Sequence, residues 1–202
     1  MSEITEIEYD IYKALLLAHY INHWGKPKYS VKSKKEGSPA IYVYCFSRPY
    51  NNSKVVYFST IGVALQKKPD NSFQGQEYFL VLPEEYFNTH KQEIFNYILD
   101  ISVHRVLKSK KNIPPIIMES KLAPKEWLTR SILIDDPRGE SEEFSENLLL
   151  GKNNPQILWI IPIYDEEYGL ISKQGIEAFD KIEQESDYEL IDVKRPSFLN
   201  II

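Results

Sequence analysis

His19 and His23, in the stretch HYINH, are spaced four residues apart, which puts both rings on one face of a helix. Such a pair can begin a zinc site, but zinc takes three or four ligands in a tetrahedral array. The other histidines, His90 and His104, fall in a different segment. The pair therefore reads as surface groups near a helix C-terminus, where positive charge complements the helix dipole, and no metal or other cofactor is expected. Cys45, the single cysteine, lies inside the apolar run AIYVYCF, where a thiol is held protonated and inert. Carboxylates cluster at Asp135–Asp136 and at Asp165, Glu166 and Glu167. Acids adjacent along a chain point apart, and nothing near these predicts the desolvated, protonated group that acid–base catalysis needs. The first pair reads as a solvated loop. The chain carries no G-x-S-x-G elbow, no G-x-x-x-x-G-K-[ST] or G-x-G-x-x-G phosphate loop and no H-E-x-x-H.

Composition narrows the classes further. The 202 residues are 43% hydrophobic and 26% charged, and such a length buries about 70% of its unfolded surface in one domain spanning residues 1–202. A net charge of −5 lacks the basic footprint of a nucleic-acid binder. The densest basic stretch, RVLKSKK from Arg105 to Lys111, sits where a helix should end and serves its dipole. No apolar run reaches the roughly 20 residues of a membrane span. The opening MSEITEIEYD lacks the positive n-region of a signal peptide, so a cytoplasmic location is expected. Fourteen tyrosines against nine phenylalanines suit half-buried strand positions and contact surfaces.

These groups must be positioned by elements that the hydrophobic period predicts. From Glu6 to His23, the residues Ile7, Ile11, Ala14, Leu15, Ala18 and Ile21 recur at helical spacing and form a predicted core stripe, ended by Gly25 and Pro27. KYSVKS, AIYVYCF, KVVYFSTIGVAL and EYFLVLP follow as strands of an antiparallel meander, with Gly62 marking a bulge or bend. A helix is predicted from about Thr89 to Lys108, stopped by NIPPI. WLTRSILI is a strand, DDPRGESEEFSE an acidic loop with too few apolar groups to anchor it, and QILWIIPI the last strand. A single helix from about Glu166 to Glu185 closes the pattern. The order predicts an α+β fold, a mostly antiparallel mixed sheet flanked by helices.

The corner ILWIIPIYDEEYGLISKQGIEAF joins that last strand and helix. Asp165 fits an N-cap, and Glu166 and Glu167 a first turn, where carboxylates meet unpaired N–H groups. The same segment, with DVKRPSF after it, resembles the closing part of suppressor of fused-like (SUFU-like) domains. It shares Pro162-Ile163, the acidic pair Glu166-Glu167, and Gly175 before Glu177 and Ala178. ILIDDP (Ile132 to Pro137), and STIGVAL followed by QEYFLVLP, resemble the family's strand ending in an acidic-Pro turn and its paired central strands. The resemblance is clearest over residues 55–198, and LKSKKNIPPIIMES departs from the animal pattern.

It implies a SUFU-like fold and a non-enzymatic protein-binding domain. The bacterial members' implied role is that of an immunity protein neutralising a cognate toxin. The animal members imply an alternative, a regulatory adaptor taking up a short peptide by strand addition. A metal-dependent hydrolase using His19, His23 and distant carboxylates is the enzymatic alternative. The expected partner is a protein, neither nucleic acid nor membrane. The surface expected to meet it is Tyr164, Asp165, Glu166, Glu167 and Tyr168.

Overall fold

A computed structural model describes residues 4–51, 53–107, 116–117, 123–146 and 154–200, with the side chains of residues 104–107, 116–117 and 145–146 left aside. Its centre is a seven-stranded sheet in the order β1-β2-β3-β4-β7-β6-β5. The strands are β1 (Tyr29–Ser33), β2 (Ile41–Tyr50), β3 (Ser53–Ile61), β4 (Gln76–Pro83), β5 (Ile116–Ile117), β6 (Ser131–Asp135) and β7 (Gln156–Ile163). As the meander predicts, β1 to β4 pair antiparallel in sequence order. The last strand then enters beside β4 in parallel register, Gln76 opposite Gln156 and Leu80 opposite Ile160. β6 and β5 add antiparallel beyond it. The sheet is mixed and mostly antiparallel, and the fold is α+β.

Helices cover both faces. On one lie α1 (Glu6–Trp24), α3 (Glu142–Glu146), α4 (Asp165–Gln174) and α5 (Ile176–Gln184). On the other lies α2 (Glu84–Leu107), whose Ile94, Phe95, Ile98 and Ile101 pack on β2, β3, β4, β6 and β7. β7 is therefore apolar in both directions, which is why QILWIIPI shows no alternation.

Four expectations are corrected. First, the predicted core stripe of α1 faces outward. Ile7, Ile11 and Leu15 are 73%, 55% and 43% exposed, with Ala14 and Ala18 also exposed and Ile21 half-buried. The core takes Tyr12, Leu16, Tyr20 and Trp24 instead. Both stripes run at helical spacing, so periodicity alone left a tie. Aromatic side chains remove more apolar area, and the sheet supplies partners for two phenols: Tyr12 donates to Glu77 and Tyr20 to the carbonyl of Thr60.

Second, the acidic loop is anchored. Phe144 on α3 is fully buried against Trp24 (5.0 Å between ring centroids), His19 (5.1 Å) and Phe79 (5.9 Å). One aromatic ring in a prepared pocket outweighs the polar composition around it.

Third, α2 begins at Glu84, directly after Pro83. It kinks at His90 (φ −123°, ψ 25°), near where the helix was predicted to start. Fourth, the closing helix is two, broken at Gly175 (φ 90°), where a Cβ would meet a Glu177 carboxylate oxygen at 2.8 Å. Gly62 ends β3 as a bend at φ 105°, within 2.3 Å of Ala40 O if a Cβ were added. The predicted basic stretch beyond Leu107, and Asn112–Pro115 of NIPPI, lie outside the described residues.

Candidate functional site

The acidic corner follows from β7. Pro162 pairs with Ile132 of β6, and after Ile163 the chain turns into α4 with Tyr164 as N-cap, one residue earlier than expected. Asp165 accepts from Ser131 Oγ at 2.6 Å. Glu166 stays exposed and accepts from Asn200 Nδ2 at 3.1 Å. Glu167 is fully buried: both its oxygens bind the Arg195 guanidinium, at 2.7 and 2.8 Å. It also accepts from the N–H groups of Tyr164 (2.9 Å) and Phe198 (3.0 Å). Tyr164 donates its hydroxyl to the Arg195 carbonyl, and Tyr168 lies half-buried against the core.

The expected partner surface is thus mostly a clamp. A completely enclosed ion pair joins α4 to the C-terminal segment, with the Phe198 ring 3.8 Å from the guanidinium carbon. Only Glu166 of the five faces solvent outright without serving the fold's interior, and Asp165, though exposed, is engaged by Ser131.

The histidine pair is also not the surface feature expected. The rings of His19 and His23 sit 4.7 Å apart, but His19 is buried against Phe144. Burial, aided by the neighbouring His23, lowers its pKa from 6.5 to about 4, so the ring is neutral near pH 7. No carboxylate joins them: among the described residues no group of three or more His, Cys, Asp or Glu side chains could hold a metal ion. Cys45 is a core thiol on β2, pushed up to about 12 by burial. Asp135 is not free in solvent as expected; it is ion-paired with Arg138, whose guanidinium also reaches Asp180 at 2.7 Å. His90 meets Glu126 at 3.1 Å, a partner that sequence spacing could not name.

Two features escaped sequence reading. Glu77, at the start of β4, is completely buried with no cation beside it. It accepts from Tyr12 Oη (2.8 Å), Thr60 Oγ1 (2.6 Å) and the N–H groups of Gly62 (2.7 Å), Val63 (3.3 Å) and Ala64 (3.1 Å). Burial raises its pKa above 4.5, with the hydrogen bonds from Thr60 and Tyr12 opposing. A Glu in the strand EYFLVLP was the available signal, since a charge at a strand position buried on both sides needs a partner. The second feature is the outward stripe of α1, three large aliphatic residues and two alanines on one face. Solvent-facing apolar stripes of this kind mark contact surfaces.

The family model for suppressor of fused protein (SUFU) matches residues 37–196. The chain belongs to the SUFU family. The match begins ahead of the residues where the resemblance is clearest and takes in β2, while α1 lies outside it. Among solved structures, this SUFU-family chain is similar to the crystal structure of a SUFU homolog from Neisseria gonorrhoeae FA 1090. The TM-score is 0.70 at 16% identity, covering 94% of this chain and 97% of that one. At that identity the likeness speaks for the fold. No curated protein matches the chain significantly. No helix among the described residues is long and apolar enough to cross a membrane.

Proposed function

We propose that this SUFU-family chain is a non-enzymatic cytoplasmic binding protein that neutralises a cognate toxin domain by covering it. The observation that carries the reading is the outer face of α1. That helix is already seated on the sheet by Tyr12, Leu16, Tyr20 and Trp24, yet presents Ile7, Ile11 and Leu15 to solvent. The fold gains nothing from apolar residues there, whereas a partner gains the transfer of about 2 kcal/mol for each large side chain it covers. The acidic balance of −5 favours approach by a basic partner.

Co-expression with a toxin domain encoded beside the gene tests this. Rescue of growth, with a stoichiometric complex on purification, is expected for the native chain. Ile11→Glu should abolish both while leaving the fold intact. A toxin left active by the native chain, or rescue indifferent to Ile11→Glu and Leu15→Glu together, would defeat the proposal.

A second reading, strand addition of a peptide, is favoured by one feature. Among the described residues β1 is an edge strand paired with β2 alone, its side chains mostly exposed. It predicts that proline at Ser30, an exposed residue whose main-chain groups alternate with those of Tyr29 and Val31 that face β2, weakens peptide capture, while α1 variants do not.

A further inference from the structure

Among the described residues the helix layer on the α1 side leaves part of the sheet open. Between α3 and the segment following α5, a cleft of about 600 Å³ opens over the middle of the sheet. That volume lies within the range of natural ligand clefts, about 300–1,000 Å³. Its floor is a row of rings on three adjacent strands, Tyr57 on β3, Phe79 on β4 and Trp159 on β7. Neighbouring rings are nearly parallel, with centroids 6.4 Å apart for Tyr57 and Phe79 and 6.0 Å for Phe79 and Trp159. Trp159 is only 7% exposed, and its enclosed indole N–H meets no acceptor among the described residues. Tyr50 and Tyr188 stand at the lips, 39% and 47% exposed.

The walls are acidic. Glu140, Glu183, Asp187 and Glu189 line the cleft against one cation, Arg138, which Asp135 and Asp180 already hold. Glu140 is ion-paired with Arg48 at 3.9 Å and hydrogen-bonded by the Tyr57 hydroxyl, and among the described residues Glu189 accepts from Asn51 at 3.5 Å. Asp187 and Glu183 have no ion pair among the described residues.

An aromatic floor under unbalanced carboxylates suits one side chain above others. A guanidinium is planar, so it stacks on rings, and its donors fork to two carboxylates at once. It is also more weakly hydrated than an ammonium, so it leaves water at lower cost. We propose that this cleft receives an arginine side chain presented by the protein partner. That the arginine arrives on a protein rests on the neutralisation reading; that the cleft takes arginine rests on its own geometry.

The test uses the tripeptide acetyl-Gly-Arg-Gly-amide, its citrulline counterpart, and isotope-labelled full chain. Citrulline keeps the shape of arginine and removes the charge. Saturable movement of the Trp159 indole resonance is expected with the arginine peptide, while Trp127, buried under the opposite sheet face, stays still. The citrulline peptide and the pair Asp187→Asn, Glu189→Gln should each weaken binding by about tenfold. Both substitutions are exposed and leave the thermal midpoint where it was. Equal binding of the citrulline peptide, equal movement of Trp127, or unchanged affinity in the double variant would overturn the assignment. A toxin complex that ignores both substitutions would remove the cleft from the interface and leave neutralisation standing. Arginine binding without any toxin partner would do the reverse.

Discussion

Glu77 and Glu167 are both fully enclosed carboxylates, one at the start of β4 and one in the first turn of α4, and the fold accommodates them by different means. Glu167 meets a full countercharge, Arg195, in bidentate geometry and adds two backbone N–H donors. Glu77 meets no cation; two hydroxyls and three consecutive N–H groups surround it. The first ties α4 to the C-terminal segment, and the second ties α1 and the bend after β3 to β4. Both acids are structural, so acidity alone is a poor guide to a reaction centre. Glu183, Asp187 and Glu189, which form no ion pair among the described residues, lie on the walls of the open cleft, where a ligand can still reach them.

The comparison is broken most severely by removing one half of the ion pair. Arg195→Met should leave Glu167 charged and unpaired in the interior and cost about 3–5 kcal/mol, read as a lowered denaturant midpoint. If the loss is below about 1 kcal/mol, the pair is not the clamp described here. Replacing Glu77 by Gln keeps its shape but turns one of the two acceptor oxygens, serving two or three of the five donors, into an NH2 group, a loss of about 1–3 kcal/mol at pH 5.

The pH dependence sharpens the contrast. Because the folded Glu77 has a pKa raised above 4.5, the folded state keeps its proton longer than the unfolded chain. Its contribution to stability is complete below pH 4.5 and declines as pH rises through the folded value. His19 acts in the opposite direction. With its folded pKa lowered from 6.5 to about 4, stability falls as pH drops across that interval, because the unfolded chain binds the proton first. Chemical denaturation across pH should show Glu77→Gln losing the decline on the alkaline side, and His19→Leu losing the decline between pH 6.5 and 4. The smallest effect belongs to Glu166→Gln, which touches only Asn200 and should change stability by less than about 0.5 kcal/mol. A larger loss would make the exposed part of the corner structural as well.

Much of this architecture was legible beforehand. The strand meander, the change to a helical period after Pro83, and the apolar run of β7 follow from side-chain alternation, turn residues and two-sided burial. The family resemblance ran through the same motifs. In the corner, the sequence called for acids at a helix N-terminus, and Glu167 does accept the Tyr164 N–H there. Its second partner, Arg195, lies 28 residues on, and no local rule pairs them. Phe144 likewise looked like a stray aromatic in an acidic loop, because the pocket it fills comes from α1 and β4.

Although α3, β5 and the break at Gly175 escaped it, the sequence by itself determined most of the strands, the positions of the main helices and that the fold is α+β. Those properties depend on neighbours within a few residues, where period and propensity act. Only the tertiary structure decided which of two apolar stripes on α1 enters the core, which carboxylates are consumed by burial, and where the cleft beside α3 forms. Each of those outcomes is a competition between distant groups for the same interior volume and the same hydrogen-bond donors. Its winner is set by what the opposing surface offers, and that surface is written elsewhere in the chain.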